Sequence, residues 1–132
     1  MSVFLPSSVR VQNDVPVPMR DHVHLSADVY HPNAGPGPWP VLLARTPYDN
    51  NLLMDLGFFW AQQGYVYIAQ DVRGRYDSEG AFVPWDLETD DGYDTLDWIG
   101  AQPWCDGNVG MTGGSSLGQV QWQAAITGHP LL

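Results

Sequence analysis

The spacing of apolar residues predicts that the chain begins with a β-hairpin. Between Asp14 and Tyr30 apolar and polar positions alternate, as in strands with one buried face, and a polar turn at residues 19–22 interrupts the alternation. Segment 31–40 follows and carries four prolines, which remove backbone donors and fix φ. We therefore expect this segment to be a surface loop.

The next part of the chain has the pattern of a β-α-β unit. Two short apolar runs, 41–44 and 65–70, are typical of strands buried on both faces of a parallel sheet. Between them, residues 45–51 predict a polar loop, and residues 52–63 have helical periodicity that Gly64 should end. The side chains expected on the buried face of this helix are Leu53, Leu56, Phe59 and Trp60.

A further helix, strand and helix complete the pattern. A glycine-rich loop at 71–80 precedes a predicted helix at 87–100, and Pro103 prevents its continuation. Residues 108–112 predict a short strand, which a tight turn joins to a helix at 117–127. In the first of these helices we expect Tyr93, Leu96 and Ile99 to point inward and Asp91, Asp94 and Asp97 to point mostly outward.

Alternating strands and helices over most of the chain predict an α/β fold. Its expected form is an N-terminal β-hairpin followed by a mainly parallel sheet with flanking helices. The 44% hydrophobic and 12% aromatic content of the 132 residues is enough for the core of one domain.

Charge and cysteine content exclude several functions. The net charge is −10 and all five basic residues are arginines, so no basic surface for nucleic acid is expected. The single Cys105 cannot form an internal disulfide and is expected to be a buried or half-buried thiol. The first ten residues have no signal-peptide pattern, and nowhere do eighteen apolar residues follow one another. These observations favour a cytoplasmic protein without a membrane partner.

Candidate chemistry lies in the segment Gly113-Gly114-Ser115-Ser116-Leu117-Gly118. A serine between small residues at a strand-to-helix junction is typical of a nucleophile elbow, in which the turn exposes the hydroxyl and a backbone N–H faces the oxyanion. One register makes Ser115 the nucleophile and the other makes it Ser116. A glycine-rich turn built for packing, or for an anion at the helix N-terminus, explains the motif about equally well. A phosphate-binding P-loop is disfavoured because the chain has no lysine.

Four segments resemble the cocaine esterase and X-prolyl dipeptidyl peptidase (CocE/NonD) family of α/β-hydrolases, which includes α-amino-acid ester hydrolases and cephalosporin acylases. They are residues 19–30, 45–48, 70–80 and 102–118, in the order found in the family. The resemblance implies a serine hydrolase, without a cofactor, that acts on a small ester, amide or peptide.

The same resemblance assigns roles at the turn. It implies Ser115 as nucleophile, with the N–H of Ser116 and the hydroxyl of Tyr48 as oxyanion donors. The chain departs from the family at Ser116, where a tyrosine is usual, and at His22, where a glycine is usual. The first departure concerns the wall of the substrate pocket, and the second predicts a strained or reshaped hairpin turn.

Other charged residues and histidines have structural explanations. We interpret Asp71 and Arg73 as residues that order a loop. The carboxylates Asp86, Glu88, Asp90, Asp91, Asp94 and Asp97 are expected near a helix N-terminus or on its solvated face, and not at a metal. The four histidines, His22, His24, His31 and His129, are expected at solvent-facing or loop positions.

The expected catalytic machinery is incomplete. In this fold the order along the chain is serine, then acid, then histidine, and no Asp or Glu follows Asp106. Residues 1–132 are therefore predicted to be the N-terminal part of a catalytic domain, truncated after the elbow helix, with very weak activity or none. An unpaired strand around Val109 and Met111 would favour self-association. The alternatives are a non-catalytic fragment that acts as a folding or association module, and an anion-binding α/β domain.

Overall fold

The computed structural model describes residues 9–33 and 35–132. In chain order its strands and helices are β1 (Val9–Pro18), β2 (His24–Pro32), β3 (Trp39–Thr46), a 3₁₀ turn (Asn50–Leu53), α1 (Met54–Gln62), β4 (Val66–Asp71), α2 (Glu88–Gly100), β5 (Cys105–Met111) and α3 (Ser116–Ala125). The predicted hairpin is β1 and β2, and every predicted strand and helix is present. No helix within the described ranges is long and apolar enough to cross a membrane.

The strands form one mixed sheet in the order β1-β2-β4-β3-β5. The hairpin adds to the sheet through antiparallel pairing of β2 with β4. On the other side, β3 runs parallel to both β4 and β5, as expected for a β-α-β unit. The predicted α/β fold is therefore confirmed, with the antiparallel hairpin at one end and the parallel strands at the other.

The central strands are apolar on both faces because helices cover both faces. In β4, Val66 and Ile68 point to one side, where they pack with residues of α2 and α3. Tyr67 and Ala69 point to the other side, where Ala61 of α1 packs against them. This arrangement explains why uninterrupted apolar runs predicted these strands correctly.

The loops around β3 are shorter than predicted. Strand β2 continues through Pro32 and β3 begins at Trp39, so the predicted surface loop 31–40 was too long. The predicted polar loop 45–51 was also wrong at its start, because Arg45 and Thr46 belong to β3 and are buried. Their polar side chains did not indicate a loop, because hydrogen bonds within the protein offset the cost of burying them.

Helix α1 packs through only part of the face that was predicted. Leu53 and Trp60 are half-buried and pack against the core, as expected. Leu56 and Phe59 were expected to be buried but are 47% and 50% exposed. The buried positions are Gly57 and Ala61, because the helix approaches the sheet closely. A Cβ at Gly57 would lie 2.5 Å from the ring of Tyr30. Small residues therefore allow the close approach of the helix to the sheet.

Two carboxylates of α2 that were expected at the surface are buried in ion pairs. Glu88 lies 3.2 Å from Nη1 of Arg45, whose Nε donates to Gln70 at 2.6 Å. Asp91 accepts two hydrogen bonds from Arg73, at 2.9 and 2.8 Å. Glu88 lies at the N-terminus of α2, as expected, but the outward position expected for Asp91 was wrong, because each buried carboxylate has an arginine partner.

The histidines divide into exposed and buried pairs. His24 and His22 lie at exposed positions, and His22 has a φ of 70° in the hairpin turn, which confirms the expected strain. His31 and His129 are buried, contrary to expectation. His129 bonds to Asp97 at 2.7 Å and packs edge-on against the ring of Tyr93.

His31 is enclosed between the hairpin and the Trp104 ring. Its Nε2 lies 2.8 Å from Oε1 of Gln12, and no described residue pairs with its Nδ1. Burial, assisted by the charge of Arg10, lowers the pKa of His31 from 6.5 to about 4. The folded protein therefore holds this imidazole neutral under conditions in which the unfolded chain protonates it.

The buried His31 predicts a loss of stability in acid. As the pH falls from 6.5 to 4, His31 binds a proton in the unfolded chain but not in the folded chain. Its contribution therefore lowers the free energy of unfolding by up to about 3 kcal/mol. Urea unfolding across this range should show the wild type losing stability relative to His31→Gln, because the buried Asp71 carboxyl, whose pKa is raised to about 6, acts in the opposite direction equally in both proteins. The control His24→Gln should behave as the wild type, and an equal slope in His31→Gln would contradict the assignment.

Candidate active site

The turn between β5 and α3 holds a serine in a strained conformation. Ser115 has φ 57° and ψ −125°, and its side chain is exposed. Few residues with a side chain adopt a positive φ, and such strain is concentrated at functional sites. Ser116 is already the first residue of α3, and the carbonyl of Ser115 accepts from the N–H of Gln119 at 3.0 Å. The strain therefore falls on Ser115, in the register that the resemblance implied.

Small residues around Ser115 allow the reversal of the chain. Gly113 has φ 120°, and a Cβ there would lie 2.5 Å from the side chain of Leu117. Leu117 is buried against the sheet, so its side chain could not move away from a Cβ at position 113 without a loss of packing. The motif singled out in the sequence thus has the local geometry that its residue types predict.

The phenol of Tyr48 reaches the same turn from the loop after β3. Its hydroxyl donates to Oγ of Ser116 at 3.0 Å, and the side chain is 48% exposed. Hydrogen bonding with the hydroxyl of Ser116, and less strongly with that of Ser115, lowers the pKa of Tyr48. The sequence prediction that Tyr48 and the two serines share one site is consistent with this geometry.

Asp71 fixes the loop that carries Tyr48. Its carboxylate accepts the backbone N–H of Asn50 at 2.8 Å, and the side chain of Asn50 donates to the carbonyl of Ala69. Burial raises the pKa of Asp71 to about 6. These bonds tie the loop to the end of β4, and they support the interpretation of Asp71 as a residue that orders a loop.

Arg73 orders the neighbouring segment. Besides its two bonds to Asp91, it donates to Asp21 of the hairpin turn at 2.8 Å. The hydrogen bonds that Arg73 donates to these carboxylates raise its pKa. The guanidinium thus joins the hairpin, the loop after β4 and helix α2, as expected for a structural arginine.

A cavity of about 280 Å³ opens beside Tyr48 and Ser116. Arg75, Phe82 and Trp85, from the loop between β4 and α2, form much of its wall. None of these three residues was predicted at the site, because the glycines of this loop indicated only a connection between a strand and a helix. Aromatic residues in a loop, flanked by Pro84, were the available signal.

The described residues do not supply a base for Ser115. No histidine or carboxylate within residues 9–33 and 35–132 hydrogen-bonds to its hydroxyl, and His129 is engaged with Asp97. In the same ranges no three His, Cys, Asp or Glu residues are arranged to hold a metal ion. The groups brought together at this site are therefore a strained serine, a phenol and the hydroxyl of Ser116.

Comparison with protein-family models identifies the family. Residues 21–132 match the model described as X-Pro dipeptidyl-peptidase (S15 family). The chain belongs to this family. The match begins at the hairpin turn and includes the strand-turn-helix segment that carries Ser115.

Similar proteins of this kind are named esterases and hydrolases. This chain is 50% identical over 128 residues to the cocaine esterase of Rhodococcus sp. strain MB1 Bresler. The matched residues cover 89% of this chain and 21% of the esterase. A putative serine esterase of Mycobacterium tuberculosis is 33% identical over 138 residues, which cover 86% of this chain and 22% of the esterase. The chain thus spans about a fifth of the length of these curated relatives.

Solved structures give the same result. An α-amino acid ester hydrolase aligns with a TM-score of 0.82 and 30% identity, over all of this chain and 25% of the hydrolase. A CocE/NonD family hydrolase from Staphylococcus aureus aligns with a TM-score of 0.83 and 27% identity, over 92% of this chain and 26% of that one. The expected family and α/β-hydrolase fold are both confirmed.

The backbone at the turn can be tested through stability alone. At position 115 glycine relieves a strain that alanine keeps, so Ser115→Gly should be more stable than Ser115→Ala by about 1 kcal/mol. At position 116, the first residue of α3, alanine should be more stable than glycine, by less than about 1 kcal/mol. Urea unfolding of the four variants measures both differences. If the alanine variant were more stable than the glycine variant at both positions, the strain would not lie at Ser115.

Proposed function

We propose that this chain carries the nucleophile and the oxyanion-binding groups of a serine hydrolase. Ser115 attacks the carbonyl carbon of an ester or amide while a base takes its hydroxyl proton. The bond from the carbonyl carbon to the leaving alcohol or amine breaks, the leaving group receives that proton, and water hydrolyses the resulting acyl-enzyme to an acid and free Ser115. The observation that carries the proposal is the strained, exposed Ser115 at the junction of β5 and α3. Family membership supports it, since the relatives are named esterases, ester hydrolases and dipeptidyl peptidases.

Two donors are proposed for the oxyanion. The backbone N–H of Ser116 follows the nucleophile directly, the position that supplies one donor in an elbow of this kind. The hydroxyl of Tyr48 supplies the second, and its bond to Ser116 holds it beside the turn. Such donors stabilise the charge that develops on the carbonyl oxygen in the transition state, and one of them is typically worth about 10²- to 10³-fold in rate.

We further propose that the 132 residues are the N-terminal part of a catalytic domain, and that the triad acid and histidine come from outside them. Without a base a serine hydroxyl is a weak nucleophile at neutral pH. On this proposal the chain by itself reacts slowly with a fluorophosphonate. Labelling of Ser115 at the rate of an ordinary serine hydrolase would refute this part of the proposal.

The roles of the residues can be tested in a chimera. The chain replaces the segment of the Rhodococcus cocaine esterase that it matches, so that the remainder of that esterase supplies the other groups. We expect the chimera to hydrolyse 4-nitrophenyl acetate, Ser115→Ala to abolish turnover, and Tyr48→Phe to lower kcat by about 10²- to 10³-fold. Ser116→Ala, which keeps its N–H, should retain turnover within about tenfold.

The outcomes distinguish the proposed function from its rivals. Loss of turnover in Ser116→Ala with retention in Ser115→Ala would transfer the nucleophile to Ser116. A folded chimera, checked by circular dichroism, that turns over no ester would favour the non-catalytic association module.

Self-association through β5 is part of the proposal. This strand lies at the end of the sheet, and the N–H of Val109 donates to the carbonyl of Leu131, which covers only part of the edge. Exposed edges favour pairing with a second chain, and a charge on the edge opposes it. Light scattering should therefore show dimers or larger species that a charge at the exposed Asn108 of this strand, Asn108→Lys, reduces, and a monomer at all concentrations would contradict the proposal.

A further inference from the structure

The wall of the cavity beside Tyr48 includes the side chain of Arg75, a cation that lacks an anionic partner. Three arginines of the described ranges form ion pairs with carboxylates, Arg20 with Asp94 among them, but no described carboxylate lies within salt-bridge distance of Arg75. In a chain with a net charge of −10, an unpaired arginine at a cavity wall is unexpected. Its guanidinium is therefore available to a ligand.

The structure holds the guanidinium of Arg75 in place. Its Nε donates to the carbonyl of Pro47 at 2.9 Å, which leaves the two Nη groups free for a bidentate acceptor. Its Cζ lies 5.2 Å from the ring centre of Tyr76 and 5.1 Å from that of Phe82, at cation–π distance. Because the side chain is fixed before a ligand arrives, little of its conformational entropy remains to be lost on binding.

The loop around Arg75 is built with unusual backbone conformations. Tyr76 and Trp85 have φ values of 47° and 68°, which few residues with side chains adopt. At Gly74, φ is 73° and a Cβ would lie 2.1 Å from the backbone nitrogen of Phe82. These conformations bring Phe82 against Arg75 and place the ring of Trp85 at the cavity, where half of its surface stays exposed.

The remaining wall of the cavity is mostly apolar. Val72, Val120 and Pro84 contribute to it together with the two aromatic rings, and its volume of about 280 Å³ accommodates a small ring. Glu88 also lies at the wall, but its carboxylate is paired with Arg45. The charge left for a ligand is therefore the positive charge of Arg75.

From this arrangement we infer that the cavity binds a carboxylate attached to a flat apolar group, with Arg75 as the residue that determines this specificity. Tyr48 and Ser116 lie at the same cavity, so the carboxylate belongs to a part of the substrate that extends from the reacting carbonyl. This inference rests on the proposed function only in making the cavity a substrate subsite. Binding itself does not require catalysis.

Binding of three small probes of equal size tests the inference. Isothermal titration calorimetry of the 132-residue chain compares benzoate with neutral benzamide and cationic benzylammonium. We expect benzoate to bind at least about tenfold more tightly than either control, since a bond between charged groups is stronger than a neutral one. Arg75→Gln should remove this preference, Arg75→Lys should restore part of it, and Arg10→Gln on the exposed face of β1 should leave it unchanged.

Each other outcome overturns the inference. Equal binding of benzoate and benzamide would make the cavity merely apolar, and tighter binding of benzylammonium would assign control to Glu88. Absence of binding by all three probes at millimolar concentration, or benzoate binding unchanged in folded Arg75→Gln, would likewise refute it. Ser115→Ala separates the two proposals, because it removes turnover in the chimera but should leave benzoate binding intact.

Discussion

Two buried arginines hold the candidate site together. Arg45 at the end of β3 and Arg73 just after β4 bind Glu88 and Asp91 in the first turn of α2. Helix α2 has little apolar surface in this turn, so the charges position it over the carboxyl ends of the strands. Removal of one partner from a buried pair typically costs about 3–5 kcal/mol, because it leaves the other charge unpaired in the interior.

Through α2 these ion pairs also determine the position of the serine. Gly92 of α2 lies directly against α3, where a Cβ would be 3.2 Å from the Cβ of Ala124. Helix α3 begins at the residue after Ser115, so the position of the helix determines the direction in which the side chain of Ser115 points. The elbow, the loop of Tyr48 and the wall of the cavity thus all depend on the buried ion pairs at the carboxyl end of the sheet.

The sequence predicted the features that depend on local pattern. Strands buried on both faces produce continuous apolar runs, and the elbow requires small residues at fixed spacing, so both were recognisable. The face of α1 was predicted only in part, because Gly57 and Ala61 pack by allowing a close approach, which a search for large apolar residues overlooks. His31 and Glu88 were misplaced because their burial depends on partners distant in the chain, Gln12 and Arg45. The cavity was missed for a similar reason, since its wall combines segments that no local pattern connects.

The bond between Tyr48 and Ser116 has an energetic consequence for the proposed reaction. In the resting protein the phenol already has an acceptor, so a neutral carbonyl that takes its place exchanges one hydrogen bond for a similar one. The exchange becomes favourable only as negative charge gathers on that oxygen during attack. The hydroxyl of Ser116 thus makes the phenol discriminate against the ground state of the substrate, so that weak binding of the substrate would accompany an undiminished rate of the chemical step.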